Sequence, residues 1–367
     1  MRTKILCFAA VLIIGCTPTA NPLSDRYVES PKASNGYDLA AEKIKAKLDA
    51  NFSTLSPTKQ GHYGIRMYRL TGDRAYLSPS LFRVFTLADK LQDAFVHLDN
   101  RQYINTYLKD IYDLQGSSYK DSLQKEILAT PNADFYFYLT RVVYPMAVLQ
   151  EMGLASKHHN KLLERMKEVD FRTPLLTKKI ILAWSAQTAN WVYWLRDLGI
   201  VDLSVEYNEA FKSAFETFDK TQISKFKTQL YGLTHIIIAD SGYYQRYVNA
   251  TQHRWILDFF KEHQTEIFKH ATPDIIAEIG IAHILSGQKE SEFVTKARKF
   301  VFSFFDPEHT WIPCKKGSFD LSKGEHRNVL AYILVTLPEA FHNGPFFMKD
   351  ETFYDWIPRT TMPINSN

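Results

Sequence analysis

The chain has 367 residues and a formal net charge of +4. This near balance of charge excludes the strongly basic surface of a nucleic-acid-binding domain, and no motif spacing of such a domain is present. With three cysteines the chain cannot be a disulfide-rich scaffold, so an apolar core must supply its stability.

The N-terminal stretch MRTKILCFAAVLIIGC places two basic residues before a short apolar run. The run is shorter than the roughly 20 apolar residues of a transmembrane helix, and its layout is typical of a secretory signal. Its end, LIIGC, resembles a bacterial lipobox. The resemblance implies that residues 1–15 are a signal peptide and that Cys16 is lipidated, which makes the membrane a partner through this anchor. By resemblance to the sorting rule of bacterial lipoproteins, the absence of Asp after the cysteine, where Thr17 stands, implies a location in the cell envelope, at the outer membrane and facing the periplasm.

Residues 16–36 are rich in Pro, Ser, Thr and Asn. Such a segment buries too little apolar area to offset the entropy of ordering, so we predict a flexible tether. Residues 37–367 are predicted to form a single helical domain, because most of this region has the 3.6-residue period of helices.

Two kinds of predicted helix alternate along the domain. One kind is amphipathic and charged, as in VEYNEAFKSAFETFDK, and the other is apolar nearly all round, as in DIIAEIGIAHIL. Glycines follow the apolar helices at spacings between 37 and 46 residues; they are Gly72, Gly116, Gly153, Gly199, Gly242 and Gly287. A regular period of this length predicts repeated helical hairpins.

An all-α fold follows, with two candidate architectures. Inner helices that are much more apolar than the outer ones favour an α/α toroid of six to seven helical hairpins. The alternative is an open α-solenoid, whose inner row faces solvent on one side.

Two resemblances bear on this fold. The segment MYRLTGDRAY resembles turns of α/α-toroid carbohydrate enzymes, which implies a carbohydrate substrate. The segments YGLTHIIIADSGYY, DIIAEIGIAHIL and EHRNVLAYIL resemble a bacterial family catalogued only as a domain of unknown function. This second resemblance implies no activity.

Parallel inner helices would gather polar residues from distant parts of the chain at one mouth of the domain. The candidates for catalysis are Glu278, His235, His326 and Asp134. The candidates for substrate binding are Arg66, Tyr63, Arg141, Trp184, Trp191 and Glu325.

Each candidate also has a structural explanation. Glu278 is a carboxylate in an apolar helix, so it is either an ion-pair partner of an arginine or a general acid or base in a dry pocket. His235 is either a satisfied core histidine or a base. His326 is either part of a surface charge cluster at a helix start or a residue lining the mouth.

The sequence leaves two classes of function open. One is a carbohydrate-active enzyme: a glycoside hydrolase with paired carboxylates, or a polysaccharide lyase in which His235 or a tyrosine is the base and Arg66 or Arg141 binds the uronate. The other is a non-catalytic envelope scaffold or a binder of glycan or peptide. No metal-binding motif is found, no cofactor is expected, and no nucleic-acid partner is expected.

Overall fold

The computed structural model describes residues 35–216, 222–314, 316–349 and 351–364, and its regular structure is almost entirely helical. The predicted signal peptide 1–15 and Cys16 lie outside the described residues, as does nearly all of the predicted tether 16–36. The prediction of an all-α fold is confirmed. Among the described helices, none is both long enough and apolar enough to cross a lipid bilayer.

The helices follow one another along the chain with short connections. They are α1 Asn35–Ala50, α2 Pro57–Thr71, α3 Leu77–Val96, α4 Arg101–Leu114, α5 Tyr119–Leu128, α6 Asp134–Tyr138, α7 Tyr144–Glu151, α8 His159–Lys167, α9 Arg172–Leu175, α10 Lys178–Ala183, α11 Ser185–Asp197, α12 Ser204–Ala214, α13 Ile223–Asp240, α14 Arg254–Glu262, α15 Gln264–His270, α16 Pro273–Leu285, α17 Glu292–Phe302, α18 Leu321–Thr336 and α19 Glu351–Tyr354. Two short strands, β1 Leu154–Ser156 and β2 Thr361–Pro363, pair antiparallel with Ala155 opposite Met362. Short 3₁₀ turns occupy Phe52–Thr54, Arg74–Tyr76 and Phe347–Lys349.

The helix ends follow local rules of the sequence. Five of the six glycines of the repeat have the positive φ of a left-handed helix end, and Gly116 is the exception. At Gly72, with φ 69°, the backbone N–H closes α2 on the carbonyl of Tyr68. At the other end of a helix, α16 begins at Pro273, where the missing N–H of proline costs nothing.

Two helices that the sequence pattern predicts as continuous are interrupted. A π-helical turn at Leu139–Val143 separates α6 from α7. Pro145 lies two residues after this turn. Proline lacks an N–H, and in an α-helix its ring clashes with the carbonyl four residues earlier. The wider π-helical turn accommodates the proline. The second interruption is at Trp184, whose non-helical φ of −137° separates α10 from α11.

The apolar helices pack against one another in sequence order. α2 lies on α3, α3 on α7, α7 on α11, α11 on α13, α13 on α16, α16 on α18, and α18 again touches α2. Charged helices cover them from outside; α1 lies on α18, α17 on α16 and α12 on α10 and α11.

Where two neighbouring apolar helices touch, a higher residue number on one helix faces a higher residue number on the other, so these helices run parallel. The pairs are Asn190–His235, Arg196–Asp240, Tyr231–Asp274, Thr234–Glu278, Lys59–Ser322 and Arg66–His326. The helix α3 is the exception, because its start lies beside the end of α2 and it runs antiparallel. The parallel arrangement brings the middles of α2, α13, α16 and α18 to the same level.

The C-terminal segment that follows α18 crosses the far ends of three of these helices. His342 donates its backbone N–H to the carbonyl of Arg69 at 3.0 Å, and Gly344 donates to the Gln245 side chain at 3.0 Å. Ile364 donates to the carbonyl of Gly153 at 3.1 Å beside the strand pair. This segment therefore forms a floor beneath the C-terminal ends of α2, α7 and α13.

Candidate functional site

The apolar helices expose only a few residues. Along α16 every residue from 275 to 285 is buried, and on α13 the half-buried His235 lies between the fully enclosed Thr234 and Ile236. His62 and His326 are likewise half-buried on their helices, and we call the space that these partly exposed side chains border the cleft. We call the group that surrounds this cleft the inner cluster; its members are His62, Arg66, His235, Glu278 and His326.

Glu278 and His326 are the centre of the inner cluster. One carboxylate oxygen of Glu278 accepts the Thr234 hydroxyl at 2.9 Å, and the other lies 3.6 Å from Nε2 of His326. Nδ1 of His326 lies 3.5 Å from Nη1 of Arg66. Because the guanidinium can only donate, Nδ1 accepts, so the ring proton of a neutral His326 is on Nε2 and faces Glu278. The His326 side chain is 41% exposed and that of Glu278 3%, so the histidine separates the carboxylate from solvent.

Arg66 is a buried cation without a carboxylate partner. The residue is 7% exposed, its Nε is buried without a hydrogen bond, and its Nη1 has a long contact of 3.5 Å with Nδ1 of His326. Among the described residues, no carboxylate oxygen lies within 4.0 Å of its guanidinium. A buried charge is strongly unfavourable unless it is paired, so this arrangement is suited to an anionic ligand that supplies the missing partner.

His235 is oriented by Asn190. Nδ1 of the ring lies 3.0 Å from the amide oxygen of Asn190, which accepts its proton and leaves the lone pair on Nε2. Burial is the main cause of the lowered pKa of His235, with Glu278 opposing it and His326 and Arg66 adding to it. The imidazole is therefore neutral at pH 7, and Nε2 can accept a proton.

His62 brings a second neutral imidazole to the cluster. Burial, followed by the charges of Arg66 and Arg83, holds the pKa of His62 well below its ordinary value of 6.5. Arg83 likewise has no carboxylate partner in the described part of the chain. It donates to the Tyr144 hydroxyl at 2.9 Å, and its Nε is buried without a hydrogen bond. Two unpaired arginines next to neutral histidines give this side of the cleft a positive charge.

An outer layer of paired groups covers the cluster. The Tyr231 hydroxyl donates to Asp274 at 2.6 Å, and Arg327 lies 3.6 Å from the same carboxylate. Burial alone would raise the pKa of Asp274, but the charge of Arg327 and the hydrogen bond from Tyr231 hold it below its ordinary value. Asp274 is thus an ion-paired carboxylate that fixes the start of α16.

Of the predicted catalytic residues, Glu278, His235 and His326 come together, whereas Asp134 lies apart from them. Asp134 forms an ion pair with Arg101 on α4 and borders a separate surface groove with Asn105, Leu108 and Tyr112.

Among the predicted binding residues, Arg66 alone belongs to the inner cluster. Arg141 is paired with Asp93 at 2.6 Å, and Tyr63 donates to Asp49 on α1 at 2.7 Å. Tyr63 follows His62 by one residue, and this step turns it about 100° around the helix and away from the cleft.

The two predicted tryptophans and Glu325 have other surroundings. Trp184 and Trp191 are buried around Tyr136, with ring centroids 5.0 and 5.8 Å from that ring. Glu325 is 2% exposed, and its Oε1 is buried without a hydrogen bond; within the described residues, no ion pair joins its carboxylate to the inner cluster.

An aromatic group beside the cluster was not among the predicted site residues. Tyr144, Trp194 and Tyr243 are half-buried and adjacent to one another; we call them the aromatic wall. Tyr243 and Tyr244 have φ of 54° and 72°, directly after Gly242 with φ 62°. Left-handed backbone at a bulky residue costs about 1–3 kcal/mol and is found mainly at functional sites. The signal in the sequence that could have identified this group is the pair of tyrosines directly after Gly242, one of the glycines that follow the apolar helices.

The cleft has the parts of an acid–base site for an anionic substrate. Arg66 can hold an anion, His235 can accept a proton, and tyrosine hydroxyls can donate one. The pKa of Tyr243 is well above its ordinary value, chiefly through burial and then through Glu151, so this phenol stays protonated. In the described part of the chain, no group of three or more His, Cys, Asp or Glu side chains is arranged to hold a metal ion.

The fold is all-helical, and charged, imidazole and aromatic side chains gather among its apolar helices. Residues 37–364 match the family described as Domain of unknown function (DUF3541), and because the match covers more than half of the chain, the chain belongs to this family. The sequence resemblance to an uncharacterised domain family is confirmed. No curated protein and no solved structure matches the chain. The family description assigns no activity, so a functional conclusion depends on the cleft.

Proposed function

We propose that the helices close into an α/α toroid and that the inner cluster lies in its central cleft. The order of helix contacts supports this, because the series that starts at α2 returns to α2 through α18. The parallel course of the contacting helices supports it as well, because it places their polar residues at one level. An open solenoid would leave α2 and α18 at opposite ends.

We further propose a lipoprotein of the cell envelope, anchored through Cys16 at the outer membrane and facing the periplasm. The support is the N-terminal sequence, in which a basic segment, an apolar run and LIIGC follow one another. Mass spectrometry of the mature N-terminus tests this proposal, with a diacylglyceryl cysteine at position 16 as the expected result. An unmodified N-terminus or a start at another residue would contradict it.

The proposed activity is cleavage of an acidic polysaccharide whose sugar carboxylate binds Arg66. The observation that carries this proposal is the burial of Arg66 without a carboxylate partner, which a uronate would provide with two oxygens at bidentate spacing. Binding there neutralises the sugar carboxylate and so acidifies the hydrogen on the adjacent carbon.

The proton transfers fit β-elimination. Nε2 of neutral His235 takes the proton from the carbon next to the carboxylate, and the electron pair forms a double bond to the neighbouring carbon. The glycosidic C–O bond breaks, and the departing oxygen takes a proton from the Tyr243 hydroxyl. No oxidant, metal or water is consumed. A glycoside hydrolase has less support, because Asp134 is remote and Asp274 is ion-paired.

A non-catalytic binder is the second candidate. It is favoured by the extent of internal pairing, since Asp274, Arg141 and Asp134 all have ionic partners. A binder would use Arg66 to hold the same acidic glycan without turnover, so the two candidates differ in the fate of the ligand.

Ultraviolet absorbance of the new double bond separates these possibilities. The purified protein is incubated with uronate-containing polysaccharides and with the same polymers after reduction of their carboxyl groups. We expect absorbance to rise only with the unreduced polymers. His235→Gln should abolish turnover while binding persists, and Arg66→Met should abolish binding. His283→Gln is the matched control, because His283 is buried outside the cluster and bonded to Gln288 at 2.8 Å.

Binding without an absorbance rise would select the binder. Equal behaviour of reduced and unreduced polymers, or full activity of His235→Gln, would refute the proposed reaction.

A further inference from the structure

The aromatic wall is a set of three rings drawn from three parts of the chain. The Tyr144 and Trp194 centroids are 5.2 Å apart at an interplanar angle of 43°, and Trp194 and Tyr243 are 6.1 Å apart at 17°. The rings of the second pair are therefore nearly parallel. All three residues are half-buried, whereas Trp191, three residues before Trp194 on α11, and Trp184 are buried.

The backbone is specifically shaped to place two of these rings. Tyr243 follows Gly242 in left-handed conformation, and its carbonyl is held by Arg69 at 3.0 Å. The N–H of Tyr244 donates to the Ser241 hydroxyl at 3.0 Å, which fixes the same turn. Tyr144 directly follows the π-helical turn, which changes the direction in which its side chain leaves the helix axis. Ordinary helix ends would require neither feature.

The wall adjoins the anion-binding part of the cleft. Arg69, three residues after Arg66 on α2, donates to the Tyr243 carbonyl at 3.0 Å, so the wall lies against the helix that carries Arg66. Arg83 connects the two regions, because it packs beside Gly61, the neighbour of His62, and lies 5.8 Å from the Tyr144 ring centroid. A ligand that extends from Arg66 past Arg83 would therefore meet the ring faces.

We infer that the aromatic wall is a second subsite, which binds the sugar ring next to the uronate held by Arg66. Flat apolar faces match the C–H face of a pyranose, and the Tyr144 and Tyr243 hydroxyls and Arg83 can bond to its rim oxygens. The position of the wall makes the ligand an oligosaccharide of at least two rings. This inference rests on the proposed function, because the uronate at Arg66 sets the position of the neighbouring ring.

The test is the dependence of affinity on chain length. Calorimetry compares galacturonic acid with its dimer and trimer, using the full mature chain. We expect the dimer to bind about tenfold more tightly than the monomer, a factor equal to about 1.4 kcal/mol. Trp194→Leu should remove this gain and leave monomer binding unchanged. Trp356→Leu is the control, because that tryptophan is 65% exposed and belongs to another region.

A second variant covers the case in which Trp194→Leu does not fold. Tyr243→Gly removes a ring of the wall and at the same time relieves the left-handed backbone, so we expect a folded protein with the same loss of the dimer gain. Equal affinity for monomer and dimer in the wild type would overturn the subsite while Arg66 binding stands. Failure of the wild type to bind the monomer and the longer acids would instead reject the proposed function.

Discussion

Arg66 and Arg69 lie less than one turn apart on the same helix, and both are buried, at 7% and 1% exposed. Arg69 donates to the carbonyls of Gly242, Tyr243 and Gly344 and pairs with Glu151 at 2.9 Å. Within the part of the chain that the structure describes, the guanidinium of Arg66 has one long polar contact, to His326. Burial of a charge therefore does not tell whether a guanidinium group is satisfied within the protein. The number of internal partners does, and only an unsatisfied guanidinium keeps donors that a ligand could accept.

The largest expected effect is on stability, and it comes from substituting each of the two arginines in turn. Arg69→Met leaves Glu151 and three carbonyls without their donor, so the free energy of unfolding should fall by about 3–5 kcal/mol. Arg66→Met removes an unpaired buried charge and should change that free energy by less than about 1 kcal/mol, or raise it. Urea unfolding of the two variants measures both values. Equal destabilisation would mean that Arg66 has stabilising partners after all.

A smaller effect concerns pH. The pKa values of His62 and His235 are lowered in the folded protein, chiefly by burial, from 6.5 in the unfolded chain. Below pH 6.5 the unfolded chain binds more protons, so stability is complete above this pH and declines as the pH falls. The slope is about 1.4 kcal/mol per pH unit for each histidine until its folded pKa is reached.

Unfolding measured from pH 7.5 downward in the wild type and in His62→Gln checks this dependence. The variant should show a shallower decline. Arg66→Met should also be shallower, since Arg66 is one of the charges that depress the pKa of His62. Identical pH profiles for the three proteins would show that His62 titrates normally in the folded state.

The smallest effect is expected at Asp134, whose partner Arg101 has a 64% exposed side chain. Pairs this exposed contribute about 0.2–1 kcal/mol, so Asp134→Asn should lower stability by no more than this. Binding of acidic glycan should be unchanged, because Asp134 lies outside the inner cluster. A loss of turnover comparable to that of His235→Gln would return Asp134 to the candidate site.

The sequence predicted that Glu278, His235 and His326 come together, because their proximity follows from the regular repeat of the helices. Glu278, His235 and His326 occupy equivalent depths on apolar helices, so a parallel arrangement brings them together. The sequence pattern could not predict how far each helix is rotated about its own axis. That rotation sends Tyr63 to α1 while its neighbour His62 enters the cleft. Asn190 as the partner of His235 also depends on a contact between helices that no local pattern encodes.

The aromatic wall escaped prediction for a different reason. Helical periodicity describes residues within helices, whereas Tyr243 lies beyond the end of α13 in left-handed backbone. The spacing of apolar residues within the helices cannot identify an aromatic side chain, such as that of Tyr243, that lies beyond a helix end. The π-helical turn before Tyr144 has the same effect, since it changes the phase of the helix locally.

The floor formed by the C-terminal segment has a consequence for the order of assembly. Arg69 lies early in the chain, yet one of its acceptors is the carbonyl of Gly344 and its own carbonyl is bonded by His342. During synthesis from the N-terminus these partners emerge only after all the apolar helices have been made. The Arg69 guanidinium therefore lacks one of its hydrogen-bond acceptors until the C-terminal segment has been synthesised. Completion of the interior at Arg69 thus coincides with completion of the chain, which couples the two ends of the domain in time as well as in space.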